Sequence, residues 1–209
     1  MKYREFVEKT RELSYLKIPT IEALSGERRT LKNQLVLWQR QGRVHRLKNG
    51  VYALNDHDRR APLSPLMISN ILYAPSYISL ETALSFFGLI PERVVAVTAV
   101  SPKKTAIFEN FYGTFDYRSL RKGSFFGFES VEDQGLPVLM ATPEKAILDK
   151  IYFDPVFRPE DGYFLENLRL QNFESLRLQR LLDYSRRFGS KKVKEGAVVL
   201  ASLVRREKK

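Results

Sequence analysis

Apolar residues recur at helical spacing through the first 41 residues of the chain. A first stripe repeats at i, i+3, i+4, i+7 and i+10, which predicts a helix with one face against a core. Its members are Tyr3, Phe6, Val7, Thr10 and Leu13. A brief second helix is predicted over residues 20–24, with Thr20 as its N-cap. A third is predicted from about Glu27 to Gln41, with Gly42 ending it. Its core-facing residues are Leu31, Leu35 and Trp38.

A tight basic hairpin is predicted directly after the third helix. Residues 39–54 read QRQGRVHRLKNGVYAL, with the dipeptide Asn49-Gly50 between two apolar runs. Both positions of such a two-residue turn need positive φ, which Asn and Gly tolerate best. Three short helices followed by a hairpin is the order of elements in a winged helix-turn-helix. The sequence therefore predicts such a domain over residues 1–58.

The rest of the chain predicts a mixed domain over residues 59–209. A polar, proline-containing linker at 55–65 leads into two helices near 66–73 and 79–87. Four β-rich runs follow, and their short connections favour a largely antiparallel sheet. They span residues 94–100, 113–117, 125–131 and 136–140. Thr142-Pro143 opens another helix, and two more end the chain. The predicted fold class is α+β, with helices flanking the sheet.

Charge and composition indicate a basic protein with a polyanionic partner. The chain carries a net charge of +11, no cysteine and no apolar run near the length of a membrane span. Residues 1–60 hold 14 Lys and Arg against 7 Asp and Glu, and residues 155–209 hold 13 against 7. The middle, residues 61–154, holds 8 against 10. Basic ends around a near-neutral middle favour a polyanionic partner, here double-stranded DNA. The absence of cysteine and of a membrane span favours a cytoplasmic location.

Candidate DNA-contacting residues lie on the third helix and the hairpin. With the apolar stripe inward, Arg29, Asn33 and Arg40 lie opposite it, flanked by Arg28 and Lys32. Arg can donate two hydrogen bonds to guanine, and Asn can pair with adenine, whereas Lys32 suits a phosphate. In the hairpin, the residues placed to reach phosphates or the minor groove are Arg43, Arg46, Lys48 and Asn49.

The residue types required by common enzyme sites are scarce. The two histidines are His45 and His57, and without cysteine the usual zinc and thiol chemistry is missing. Neither a Gly-x-Ser-x-Gly turn nor a glycine-rich phosphate loop occurs. Glu144 and Asp149 are interpreted as a helix cap and surface charge. We therefore predict no catalytic residue, no metal site and no cofactor.

Two further stretches resemble a known family. Residues 76–92, SYISLETALSFFGLIPE, and 141–155, ATPEKAILDKIYFDP, are similar to the signature stretches of AbiEi-type antitoxins from abortive-infection, type IV toxin–antitoxin systems of phage defence. Residues 39–54 resemble the wing of that family's N-terminal helix-turn-helix. The likeness spans roughly residues 1–155. One departure is Thr20, where the family often has an acidic residue.

The resemblance implies a non-enzymatic repressor and antitoxin. Such proteins bind inverted repeats upstream of their own operon, which suits a dimer, and counteract a co-encoded nucleotidyltransferase-like toxin. The implied recognition-helix contacts are Arg28, Arg29, Lys32 and Asn33, and the implied wing contacts are Arg43, Arg46 and Lys48. Most of the signature residues form apolar stripes, so we attribute them to core packing and not to a binding site. Tyr77 and Glu81 are the polar members expected to face a partner.

Two other functions remain open at this point. The winged helix can serve as a protein-interaction module without specific DNA binding, since the same elements occur without base recognition. A nucleic-acid-modifying enzyme is the third alternative.

Overall fold

Three helices and a small sheet form the N-terminal part of the computed structural model, which describes residues 1–25 and 28–207. The helices are α1 (Tyr3–Thr10), α2 (Ile18–Ser25) and α3 (Arg28–Arg40). The strands are β1 (Leu16–Lys17), β2 (Val44–Lys48) and β3 (Val51–Leu54), in the order β1-β3-β2 with both pairings antiparallel. Gly50 joins β2 to β3 with φ +77°, the left-handed conformation that a side chain disfavours.

The longer part of the chain follows with five helices and six strands. The helices are α4 (Pro65–Leu72), α5 (Leu80–Phe86), α6 (Pro143–Phe153), α7 (Leu178–Phe188) and α8 (Lys191–Glu207). The strands are β4 (Tyr77–Ile78), β5 (Val97–Ser101), β6 (Ala106–Asn110), β7 (Gly113–Ser119), β8 (Phe128–Asp133) and β9 (Leu136–Ala141). Short 3₁₀ turns lie at Lys122–Ser124 and Phe173–Ser175, and a π turn lies at Tyr163–Asn167.

The six strands form one mixed sheet in the order β6-β7-β5-β4-β9-β8. Three neighbouring pairs are antiparallel, while β5 pairs with β7 and β4 pairs with β9 in parallel. The α+β class with flanking helices is thus confirmed, but the sheet is less antiparallel than predicted. The reason is that two strands of the sheet, β4 and β6, were not predicted from the sequence. Strand β6 occupies the outer side of β7, and β4 inserts between β5 and β9.

Two hydrophobic clusters hold the molecule together, and the hairpin contributes to both. The smaller contains the inward faces of α1 and α3 together with Val44 and Leu54. The larger contains the sheet and α4–α8, and it also includes Leu47, Val51 and Ala53. Alternating side chains of a strand point to opposite faces, so one hairpin can pack on two sides. The predicted domain boundary at residue 58 stays a prediction.

The helices of the described ranges are all too short or too polar to span a membrane.

Candidate nucleic-acid interface

The outward face of α3 combines polar, basic and apolar side chains. Leu31, Leu35 and Trp38 are buried at 1%, 1% and 4% exposure, as the helical period requires. Asn33 and Arg40 are exposed on the opposite side, where the sequence predicted them. Neither forms a side-chain hydrogen bond with the part of the chain that the structure describes. Both side chains are therefore free to contact a ligand.

Two apolar residues share that outward face. Val36 and Leu37 are each 51% exposed. The side chains of Arg28, Arg29 and Lys32 lie outside the described residues, although the backbone at these positions is part of α3. The predicted roles of these three side chains stay predictions.

Aromatic packing fixes α3 against α1. The Trp38 ring lies 4.8 Å from the ring centroid of Phe6 and 5.2 Å from that of Tyr3. The Arg43 guanidinium lies 4.7 Å from the Tyr3 ring centroid, a cation–π distance. The backbone N–H of Arg43 donates to the carbonyl of Trp38 at 2.9 Å, which caps the end of α3. The exposed Arg43 side chain is thus placed where helix and hairpin meet.

The hairpin presents two further exposed polar residues. Arg46 on β2 and Asn49 in the turn are exposed, and neither bonds to a described side chain or carbonyl. Strand β2 has an irregularity between Arg46 and Lys48, where its register against β3 shifts. Together with Asn33, Arg40 and Arg43, these residues form what we call the α3–hairpin face.

Lys48 does not belong to the α3–hairpin face, contrary to the prediction from the sequence. Its Nζ donates to the carbonyls of Ile71 at 2.9 Å and Leu72 at 2.8 Å, at the C-terminal end of α4. The end of a helix carries partial negative charge and unpaired carbonyls, which attract an ammonium group. Lys48 therefore joins the hairpin to the second part of the molecule.

A groove of about 590 Å³ separates the hairpin from β6. His45 stacks on Phe111 across it, with ring centroids 3.8 Å apart. Asn110 Nδ2 donates to the carbonyl of Leu47 at 3.1 Å and closes one end. Burial lowers the pKa of His45, and its charge at neutral pH is correspondingly disfavoured. Arg46 and Asn49 of the α3–hairpin face line this groove.

Tyr77 is fully buried, so its expected role as a partner-facing residue is wrong. Its hydroxyl donates to Asp149 Oδ2 at 3.0 Å and accepts from Lys145 Nζ at 2.8 Å. Lys145 also binds the other oxygen of Asp149, and Ser79 Oγ donates to Asp149 at 2.8 Å. Burial raises the pKa of Tyr77 well above its usual value, so the hydroxyl remains a donor. We call these four residues the buried polar cluster.

Asp149 and Glu144 are not surface charges either. They are 0% and 2% exposed. Glu144 Oε1 accepts from the backbone N–H of Arg177 at 2.9 Å, so it ties α6 to the start of α7. In the sequence, the i, i+4 spacing of Lys145 and Asp149 indicates that the two side chains lie on one face of a helix. It did not reveal burial, which depends on Tyr77, Phe126 and Phe188 packing against that face.

Glu81 is the one residue of the expected partner pair that reaches the surface. Its Oε1 accepts from Lys150 Nζ at 2.8 Å, and its side chain is 37% exposed. Its contact with a partner stays a prediction.

Within the described ranges, no three His, Cys, Asp or Glu side chains group as metal ligands would. No protein-family model matches this chain, and no curated protein matches it.

Proposed function

We propose that this protein is a DNA-binding transcriptional autorepressor and an antitoxin that counteracts a co-encoded nucleotidyltransferase-like toxin. The observation that carries the DNA-binding part is that Asn33 and Arg40 on α3 and Arg46 and Asn49 on the adjoining hairpin are all exposed. The order α1, β1, α2, α3, β2, β3 also supports the proposal, because it is the order of a winged helix-turn-helix.

The residue types on the α3–hairpin face suit a major groove and its flanking phosphates. Asn33 can pair with adenine and Arg40 with guanine, while Val36 and Leu37 can contact thymine methyl groups. Arg43 and Arg46 suit phosphates, which fix position without reading sequence. The excess of 14 basic over 7 acidic residues in the first 60 favours the same partner.

The direct test is binding of the full chain to the DNA upstream of its own operon, followed by fluorescence anisotropy over a range of salt. Asn33→Ala is expected to weaken binding to that DNA by about 1–3 kcal/mol and to reduce sequence preference. Arg46→Ala is expected to weaken binding to all DNA sequences similarly. It should also reduce the slope of log affinity against log salt concentration by about one.

Arg93→Ala is the matched control for Arg46→Ala. It removes the same charge from an exposed loop in the near-neutral middle of the chain. If Arg93→Ala and Arg46→Ala weaken binding equally, the α3–hairpin face is not the DNA contact. Absence of any shift on the upstream DNA at moderate salt would refute the repressor proposal.

The antitoxin activity is proposed for residues 59–209, on the resemblance of the two signature stretches. Its test uses full-length protein, because the hairpin supplies Leu47, Val51 and Ala53 to the larger core and a truncated chain would lose them. An Asn33→Ala, Arg46→Ala double variant should lose repression yet still rescue cells that express the neighbouring toxin. Loss of rescue, with normal folding, would contradict a separate antitoxin function.

A protein-interaction module is a second candidate, and one observation favours it. Val36 and Leu37, each 51% exposed on α3, form an apolar pair of the kind that anchors protein interfaces. Val36→Ser with Leu37→Ser distinguishes the two candidates. On the DNA proposal it reduces binding to the upstream DNA. On the alternative the unaltered protein shows no preference for the upstream DNA, and the double variant loses its association with a protein.

A further inference from the structure

A cavity of about 460 Å³ lies between the small sheet and the second part of the molecule. Its volume falls in the range of about 300–1,000 Å³ typical of small-ligand sites. Apolar walls come from Val51, Met67, Ile71 and Leu139, and polar groups come from Asn70 and Ser130. The cavity also contains Tyr15 and the two lysines Lys17 and Lys48.

Two lysines, Lys17 and Lys48, line this cavity, and the charge of a third, Lys103, acts on Lys48. Lys48 Nζ bonds to the carbonyls of Ile71 and Leu72, and Lys103 Nζ donates to the carbonyl of Ala74 at 2.5 Å. Lys17 lies on β1 with its Nζ 5.9 Å from the Tyr15 ring centroid. Burial lowers the pKa of Lys48, and the charges of Lys103 and Lys17 lower it further.

The surrounding groups compensate only part of this charge. The C-terminal end of α4 supplies about half an elementary negative charge, against the two positive charges of Lys17 and Lys48. Among the described lining residues of the cavity, none is acidic. The local excess is therefore about one and a half positive charges, beside an apolar wall.

We propose that this cavity binds a phosphate monoester of the size of a nucleoside monophosphate. A phosphate monoester carries about −1.5 to −2 charges at neutral pH, which matches the local excess. Lys17 is the primary contact, since its side chain is exposed and donates to no carbonyl of the described residues. Tyr15 supplies a ring on which a planar group can stack, and Met67 and Ile71 supply the apolar wall.

The ligand would connect the two parts of the molecule. Tyr15, Lys17 and Lys48 belong to the N-terminal part, whereas Met67, Ile71 and Leu139 belong to α4 and β9. A ligand that contacts both holds the small sheet against α4. Ligand binding at this site does not depend on DNA binding. A negative result for this proposal would therefore leave the proposed repressor function unaffected, and the reverse also holds.

The test is calorimetric titration of the full chain at low salt with the four ribonucleoside monophosphates, adenosine and inorganic phosphate. At least one monophosphate is expected to bind saturably at micromolar to millimolar concentration. Adenosine, which lacks the charge, and inorganic phosphate, which lacks the apolar body, are expected to bind more weakly. Lys17→Gln is expected to weaken the monophosphate about tenfold, corresponding to ~1.4 kcal/mol.

Lys122→Gln is the matched control, because it removes an exposed ammonium that does not line the cavity. It should leave the affinity unchanged, and circular dichroism should show the same fold for both variants. The proposal is overturned if no monophosphate binds at millimolar concentration, or if Lys17→Gln and Lys122→Gln behave alike. It is equally overturned if adenosine or inorganic phosphate binds as tightly as the best monophosphate.

Discussion

Lys145 and Asp149 carry opposite charges four residues apart on α6, and both side chains are 0% exposed. Removing two charges from water is costly, and the mutual attraction offsets that cost only when every polar atom is bonded. Here Tyr77 and Ser79 supply the remaining bonds. The aromatic rings of Phe126 and Phe188 enclose Lys145 Nζ at 5.5 and 4.8 Å from their centroids. The buried polar cluster thus depends on all of its members.

Asp149→Asn is expected to lower the free energy of unfolding by about 3–5 kcal/mol, because it leaves a buried ammonium without a counter-charge. Urea denaturation at neutral pH measures the effect. Glu81→Gln is the control, since it breaks a partly exposed ion pair with Lys150 and should cost about 0–1 kcal/mol.

A double variant distinguishes the effect of losing the charges from the effect of losing packed side-chain volume. Lys145→Met with Asp149→Leu removes both charges and keeps apolar volume, so it should cost less than Asp149→Asn alone. A loss below about 1 kcal/mol for Asp149→Asn would show that the pair is not desolvated as described.

The Tyr3 hydroxyl donates to Asp58 Oδ2 at 2.6 Å and joins α1 to the segment after the hairpin. Burial alone would raise the pKa of Asp58, but the hydrogen bonds from Tyr3 and His57 hold it below its usual value of 3.8. A carboxyl with a lowered folded-state pKa stabilises the protein above its unfolded pKa. That contribution disappears as the pH falls through the folded pKa.

Tyr3→Phe is therefore expected to destabilise the protein by about 1 kcal/mol at pH 7, with a smaller difference near pH 3. Chemical denaturation at both pH values checks this. Tyr52→Phe is the control, because the Tyr52 hydroxyl has no hydrogen-bond partner among the described residues. An equal effect of Tyr3→Phe at both pH values would contradict the role given to Asp58.

At the scale of secondary structure, the elements that could be predicted are those with a long periodic face. Helices α3, α7 and α8 and strands β7 and β9 follow their sequence patterns closely. Strands β1 and β4 have two residues each, too few for any period to show. Strand β6 was missed because its side chains alternate only between partly buried and exposed positions at the edge of the sheet. Their pairings arise from tertiary packing, which local pattern does not encode.

Helices α6 and α8 approach closely at Gly196. A Cβ atom there would lie 2.7 Å from Phe157 Cζ and 2.9 Å from Ile151 Cδ1. Gly196→Ala should therefore destabilise the protein by about 1–3 kcal/mol through overpacking, although alanine is the better helix former by about 1 kcal/mol. Thermal or urea denaturation shows whether the substitution raises or lowers the free energy of unfolding.

Ser202→Ala in the exposed face of α8 is the comparison. It also introduces a better helix former and removes only an exposed hydrogen bond from Ser202 Oγ to the carbonyl of Val198, so it should be neutral or slightly stabilising. If both substitutions stabilise the protein, helix propensity outweighs packing at Gly196, and the close approach of α6 and α8 is looser than described.

At the scale of the whole molecule, the hairpin makes the N-terminal part and the mixed sheet mutually dependent. Leu47 is 3% exposed within the larger cluster, and Leu35 is 1% exposed within the smaller one. Trp38, the single tryptophan of the chain, lies in the smaller cluster and reports on it by fluorescence. Far-UV circular dichroism reports on all helices and strands.

Leu47→Ala and Leu35→Ala are each expected to cost about 2–5 kcal/mol. Each should shift the fluorescence and circular dichroism transitions together, because hairpin residues belong to both clusters and we expect these to unfold as one unit. Val198→Ala, at a 59% exposed position on α8, is the control and should shift neither. Separate transitions in the wild type would show that the parts fold independently.

The candidate interface could be predicted where it depended on helical period, and not where it depended on long-range contacts. The exposure of Asn33 and Arg40 follows from the spacing of Leu31, Leu35 and Trp38. The engagement of Lys48 with the end of α4 and the burial of Tyr77 under α6 join residues 23 and 72 positions apart. Local patterns carry no information about such pairs.

The shared hairpin also limits how this protein can be re-engineered. Transplanting residues 1–58 onto a different partner domain would leave Leu47, Val51 and Ala53 against water, and would leave Lys48 without the carbonyls that now hold it. A chimera with new binding specificity would need those positions redesigned as a surface, or would have to carry α4 along with the hairpin.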